Sequence, residues 1–308
     1  MITIDPNTAE TRLFHQLLLG SVAPRPIALA STVDAKGHVN LSPFSFFNCF
    51  SANPPILVFS PARRVRNNTT KHTLENIMET KEVVINIVNH AMVEQTSLSS
   101  VEFEKGVDEF IKAGFTATPS KKVVPPRVTE SPVSFECQVI EVRPLGHKGG
   151  AGHLVICEVL LAHFDETIFD ENERISPQKL DAVARMGDNW YCRANGQSLF
   201  ELPKPGTALA VGFEALPKSV LKSDILTGNN LARLASVEQV PTPTEEEQKA
   251  LAFQIDDFAD RFKDDRTLYK RLVHEKVKYY IEHAHIDLAW KFLLTAEDYS
   301  IKNRLWKR

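Results

Sequence analysis

The 308-residue sequence lacks most of the signatures that place a chain quickly. It has four cysteines, at 49, 137, 157 and 192, and no C-x-x-C pair, which excludes a zinc knuckle and a thioredoxin-like redox motif. No G-x-G-x-x-G and no G-x-x-x-x-G-K occurs, so neither a Rossmann dinucleotide site nor a P-loop is written in it. Neither sign of charge dominates: 36 Lys and Arg face 39 Asp and Glu, a net charge of −3. That balance carries no nucleic-acid footprint and no basic membrane patch. Gly 13 and Pro 18 are too few for a collagen-like or low-complexity chain. No apolar run reaches the length of a membrane span, and the first twenty residues lack a charged segment followed by an apolar one. A reducing cytoplasm is the expected setting. No Ser-His-Asp or metal-ligand constellation stands out.

What is present is globular: 43% hydrophobic and 24% charged residues, enough for one large or two ordinary domains. Residues 8–19 read as a short helix with Leu13, Leu17 and Leu18 on one face and Gly20 as its stop. Residues 27–42 read as a β-hairpin around the turn Asp34-Ala35-Lys36-Gly37. Strands are expected at 56–59, 82–88, 134–142 and 153–164, helices at 73–80 and in pieces over 91–113. Gly146, Gly149, Gly150 and Gly152 read as a flexible hairpin loop. Strands and helices do not alternate regularly, so a mostly antiparallel barrel with helical decorations is predicted. Cys49, Cys137 and Cys157 lie in apolar runs and read as buried thiols.

After Pro203-Lys204-Pro205-Gly206 the character changes. Thr244-x-x-Glu247 reads as a capping box opening a helix over 244–264, with Leu251, Ile255, Phe258 and Phe262 at helical spacing. Helices follow at 266–284 and 286–294. The expected division is a barrel over 1–206 and a helical extension over 207–308, which packs on the barrel or on a second copy because its apolar residues need burial. His283 and His285 are two apart on this helical segment and share no face, so they do not read as a metal site. Glu245-Glu246-Glu247 and Asp256-Asp257 read as solvated helix charge.

Two stretches could carry chemistry. Asn40-Leu41-Ser42-Pro43-Phe44-Ser45-Phe46-Phe47-Asn48 combines small polar residues, a proline and three aromatics just after a hairpin. Its alternatives are a ligand-facing segment or a strand end packed by aromatics. Residues 60–73, SPARRVRNNTTKHT, hold four of Arg and Lys and several hydroxyls ahead of a helix, the parts of a phosphate cradle or of a solvated basic loop.

These residues together resemble the flavin reductase-like family of FMN-binding split barrels, which includes flavoredoxin and the reductase components of two-component monooxygenases. The resemblance is carried by Pro24-Arg25-Pro26-Ile27-Ala28-Leu29-Ala30-Ser31-Thr32, by residues 40–48, and by Asn53-Pro54-Pro55. Lys71-His72-Thr73-Leu74-Glu75-Asn76-Ile77 matches the family's Lys-Asp-Thr-x-x-Asn-Ile, with His72 where the family carries Asp. Gly152–Val159 and Val183-Ala184-Arg185-Met186-Gly187 with Tyr191 resemble later blocks, so the likeness spans about residues 10–205.

The resemblance implies a homodimer of split barrels with FMN near the subunit interface and NADH or NADPH as a transient reductant. It implies Asn40, Ser42, Pro43, Phe44 and Ser45 along the isoalloxazine, mostly through backbone groups, with N–H donors around Ser42–Ser45. It implies Ser60, Arg64, Lys71 and Thr73 on the phosphate side, with the choice among Arg63, Arg64 and Arg66 open. His153 is either a residue at the flavin or nicotinamide edge or a structural histidine. Arg185 and Tyr191 either close over the ring or the partner subunit, or form a salt bridge and a packed tyrosine. The activity implied is an NAD(P)H-dependent flavin reductase passing hydride to FMN, working with a monooxygenase or electron-transfer partner. A non-enzymatic FMN-binding electron carrier, and a split barrel holding another ligand, stay open.

Overall fold

The alternating apolar stretches become strands, and the longest of them build one antiparallel sheet. In this computed structural model, which describes residues 1–202, 209–261 and 265–302, the chain divides into two units, Met1–Phe200 and Glu201–Arg308. The first unit opens with helix α1 (Thr11–Ser21) and the short strand β1 (Arg25–Pro26). Strands β2 (Ala28–Val33) and β3 (Val39–Phe44) form the expected hairpin, followed by β4 (Phe47–Ala52) and β5 (Pro55–Phe59). Helix α2 (His72–Thr80) leads into β6 (Glu82–Ile87). The 91–113 region yields only α3 (Val93–Leu98) and α4 (Glu109–Ala113). A small ribbon, β7 (Ala117–Thr118) with β8 (Arg127–Val128), precedes β9 (Val133–Pro144) and β10 (His153–Phe164). After α5 (Pro177–Leu180), β11 (Val183–Arg185) and β12 (Tyr191–Arg193) join β1 in a three-stranded sheet.

The main sheet has seven strands in the order β3-β2-β6-β9-β10-β5-β4, and every pairing is antiparallel. Strand alternation sorts side chains onto two cores. Ala28, Ala30, Phe44, Phe59 and Ile85 share one with Leu74 and Ile77 of α2. Ile27, Leu29 and Leu41 share the other with Met92, Phe110 and Phe115. Strand β2 is therefore buried along its whole length. The turn after it is pinned by Asp34, whose carboxylate accepts the N–H groups of Lys36 and His38 at 2.9 Å and contacts His38 Nδ1 at 2.9 Å. Gly37 there takes φ +88°, a conformation that costs glycine little.

The second unit is all helical among its described residues: α6 (Lys218–Leu221), α7 (Gly228–Ala235), α8 (Glu245–Arg261), α9 (Arg266–Glu282) and α10 (Ile286–Lys302). The expected capping box forms, with Thr244 N–H on Glu247 at 2.9 Å and Glu247 N–H on Thr244 Oγ at 3.2 Å. Leu251, Ile255 and Ile281 lie in this unit's own core around Trp290, whose indole N–H donates to the Leu234 carbonyl at 2.9 Å. Phe258 packs against that core. The need for burial that motivated docking of the extension is thus largely met inside it. Phe262 and residues 203–206 lie outside the described residues.

Several expectations are corrected. Helix α1 starts later and passes through Gly20 to Ser21, where the Val22 N–H closes on Leu18; one glycine in a last turn is tolerated. Cys49 is exposed on β4, an edge strand with little cover, whereas Cys137 and Cys157 are buried. The glycine-rich loop is packed tightly against residues 61–68. The Arg63 N–H donates to Ala151 at 2.8 Å, Gly150 N–H to Arg63 at 3.0 Å, and Asn68 Nδ2 to His147 at 3.0 Å. Helices α6 and α7 were not foreseen, and α10 extends beyond 294. "Mainly β" describes the first unit; with the helical unit the chain is mixed.

Candidate functional site

The two chemistry-bearing stretches meet at one small cavity. Strand β3 contributes Asn40 and Ser42, the loop before α2 contributes Arg64 and Lys71, and α2 contributes His72 and Thr73. The opposite wall is Ser99–Phe103 and Glu109. Its free volume is about 20 Å³, and its exposed lining is mostly polar.

Strand β3 can face a ligand because it is the sheet's edge. The Leu41 N–H points away from β2 and donates to Glu109 Oε2 at 3.0 Å. Pro43, two residues on, occupies the next outward position, where its missing N–H costs no ladder bond. By the same alternation the N–H groups of Ser42 and Phe44 point into the ladder with β2. This corrects the expectation that they are free to serve a ring. The Phe44 side chain is also committed, packed in the core with its ring 5.3 Å from that of Phe59.

The electrostatics favour an anion. Lys71 is half-buried, and its ammonium has no hydrogen-bond or ion-pair partner among the described residues. Burial and the neighbouring Arg64 hold its pKa below the usual lysine value, against the pull of Glu102. Helix α2 begins at Lys71 without a side-chain cap, which leaves the N–H groups of His72 and Thr73 at its start without a capping side chain. Thr73 Oγ accepts from Asn40 Nδ2 at 2.9 Å, which leaves the threonine hydroxyl proton free to donate. His72 is held below its usual pKa first by burial and then by nearby cations, so it is neutral at pH 7 and adds no negative charge. Arg64 Nε–H donates to Glu102 Oε1 at 3.1 Å, and Arg66 pairs with the other oxygen. Arg63 turns away to Asn68, with Nε on Oδ1 at 2.6 Å. Arg64 is therefore the arginine of the loop that lines the cavity. Glu109 is buried, and its carboxyl is pushed above the usual range by that burial.

The remaining predicted residues lie elsewhere. The Ser60 N–H donates to Phe46 at 2.8 Å, and its hydroxyl abuts Gly152. Ser45 Oγ meets the buried Arg25 at 3.5 Å. Arg25 also caps α1 through Val22 at 2.6 Å and holds Met186 at 2.7 Å. His153 is buried, with Nδ1 3.2 Å from the Pro61 carbonyl, and lines a separate, mostly apolar cavity with Leu74, Met78 and Val142. The Arg185 guanidinium lies 4.6 Å from the Tyr191 ring centroid and donates to Asp188 at 2.7 Å. Tyr191 borders a third cavity with His90 and Arg193. Sequence reasoning missed Ser99, Ser100, Glu102, Phe103 and Glu109. They follow no motif and reach the site only because α3 and α4 fold back over β3. Among the described residues no group of three or more His, Cys, Asp or Glu side chains could hold a metal ion. No described helix is long and apolar enough to cross a membrane.

Comparison with known proteins bears on the family and the fold. Residues 19–177, more than half of the chain, match the "Flavin reductase like domain" family. An uncharacterized protein of Aquifex aeolicus is 39% identical over 183 residues, 59% of this chain and 91% of its own. Nitrilotriacetate monooxygenase component B from Bacillus cereus is similar in structure, with TM-score 0.61 and 29% identity over 66% of this chain and 98% of that one. So is 2-nitrobenzoate 2-nitroreductase from Pseudomonas fluorescens, with TM-score 0.58 and 28% identity over 67% of this chain and 100% of that one. A Shewanella frigidimarina protein with a split barrel domain gives TM-score 0.56 at 28% identity, covering 66% of this chain and 100% of that one.

Proposed function

Because the chain belongs to the flavin reductase-like family, we propose that its first unit binds FMN and acts as an NAD(P)H-dependent flavin reductase. The observation that carries this reading is the unpartnered, half-buried Lys71 ammonium, set beside Arg64, Thr73 and the uncapped start of α2. That donor set fits a phosphate dianion: two cations, a free hydroxyl proton and oriented backbone N–H groups. When bound, FMN would supply the redox chemistry, with a reduced nicotinamide as its transient donor. The chain's own work is to bind and orient. Lys71 and Arg64 would offset the phosphate charge, and Asn40 fixes the Thr73 hydroxyl.

The same reading puts Asn40, Ser42, Pro43 and Ser45 along the ring side; Phe44, spent in the core, and Ser60, against Gly152, stand outside it. Arg185 and Tyr191 do not line this cavity and would close over the site of a second copy. His153, satisfied by Pro61, fits a structural role better than a catalytic one. A homodimer is part of the proposal. Helix α1 has no buried residue and leaves Leu13, Leu17, Leu18 and Val22 exposed, and Phe46 and Phe50 are uncovered at and beside β4. Docking of the helical extension 207–308 on the barrel or a second copy, for which exposed Phe253 of α8 is available, also stays a proposal. So do a cytoplasmic setting, suited to four free thiols, and a monooxygenase or electron-transfer protein as partner.

An anaerobic visible spectrum of the FMN-incubated protein tests the reading. Flavin bands that bleach promptly with NADH or NADPH are expected, and the faster nucleotide is the donor. Bands that bleach only with a chemical reductant would identify a carrier, and the absence of bound flavin would overturn FMN as the ligand.

A further inference from the structure

Glu102 stands in the turn after α3 and forms part of the cavity wall. Its two carboxylate oxygens are divided between Arg64, at 3.1 Å, and Arg66. Arg64 is held in that position by Thr69 Oγ at 3.0 Å and by the Thr70 carbonyl. The Arg64 side chain is 14% exposed and that of Glu102 38%, so the pair sits at the mouth of the site, partly out of water. Burial alone would raise the Glu102 carboxyl; the Arg64 hydrogen bond and the charges of Arg64, Arg66 and Lys71 bring it below the usual range. Glu102 is therefore ionised at neutral pH and already answers the cations that a phosphate would need. With Glu102 on Arg64, the free space among these groups is small, about 20 Å³.

We infer that Glu102 is an internal anion that competes with the flavin phosphate for Arg64 and Lys71, and so limits the site's preference for FMN over riboflavin. The inference rests on the FMN reading above. A carboxylate and a dianion cannot share these cations without mutual repulsion, so FMN must displace Glu102 towards Arg66 and solvent. The displacement lowers FMN affinity and leaves riboflavin, which lacks the phosphate, unaffected. Such a site releases FMN more readily than its cation count suggests.

The test compares dissociation constants for FMN and riboflavin, from quenching of flavin fluorescence, in the wild type, Glu102→Gln and Lys71→Met. Gln keeps the shape of an exposed turn residue, so the fold is preserved. Glu102→Gln is expected to tighten FMN about threefold to tenfold, the scale of one partly exposed charge contact, with riboflavin unchanged. An FMN constant that is unchanged or weaker in Glu102→Gln overturns the inference, since Glu102 then only orients Arg64. Equal shifts for both flavins overturn it too. Lys71→Met separates this failure from that of the underlying reading. If it weakens FMN selectively, the phosphate site stands whatever Glu102 does; if it leaves FMN unmoved, both fall.

Discussion

Replacing Gly149 by alanine should disturb the candidate site from the far side of the loop that builds it. A Cβ at 149 would lie 2.8 Å from the Val65 carbonyl oxygen, 3.1 Å from Val65 Cα and 3.2 Å from the Arg64 carbonyl oxygen. All three are backbone atoms, so no side-chain rotation relieves the contact. Residues 149–151 are also tied to Arg63 by two backbone hydrogen bonds of 2.8 and 3.0 Å, which prevents the hairpin from simply lifting away. Overpacking of this kind costs about 1–3 kcal/mol. In a unit of this size each kcal/mol lowers Tm by about 2–4 °C, so a fall of roughly 2–12 °C is expected. Because the displaced backbone is that of Arg64 and Val65, FMN affinity should fall with it. Thermal melts followed by circular dichroism, with a flavin titration, measure both. Gly228→Ala is the control: no atom lies within 4 Å of its Cβ position at the start of α7. A Gly149→Ala protein melting within about 1 °C of the wild type, against a scatter set by that control, would refute the argument that this loop is close-packed.

Two further predictions concern other parts of the first unit. The hydrogen bond from the His38 side chain and those from the His38 and Lys36 backbone bring Asp34 down to about 2. A depressed carboxyl stabilises the fold above its unfolded value, about 3.9, and loses that contribution as pH falls through its folded one. The Tm difference between wild type and Asp34→Asn should therefore be constant from neutral pH to about 4 and narrow towards 2; a gap that persists at pH 2 contradicts the assignment. For the proposed dimer, Leu17→Glu places a charge on the uncovered face of α1. Sedimentation should show a wild-type dimer and a variant shifted towards monomer, and a variant that sediments as the wild type does would exclude α1 from the interface.

Much of the fold was legible because it is written locally. The hairpin around Asp34–Gly37, the strands from 82 and 134, and the Thr244–Glu247 cap each depend on neighbours in sequence. Cys49 was misread because an apolar run does not say whether its strand is central or an edge. The glycines at 149 and 152 were misread as flexible because their partners, Val65 and Ser60, lie more than 80 residues away. In the site, Asn40, Ser42, Arg64, Lys71 and Thr73 line one cavity. Its acidic wall did not announce itself: Glu102 and Glu109 carry no pattern, and only the folding back of α3 and α4 gives them a role. That the Ser42 and Phe44 N–H groups are spent in the ladder follows from register, which composition does not encode.

Strand β4 has one more consequence. It closes the sheet at the end opposite β3 and carries the bare ring of Phe50. A sheet edge beside an exposed aromatic side chain is a template on which an extended peptide can add itself. A chain that meets no copy of itself is thus exposed to indiscriminate strand addition, and self-association would serve as its protection. Variants that weaken the proposed dimer should then aggregate sooner than the wild type at the same concentration.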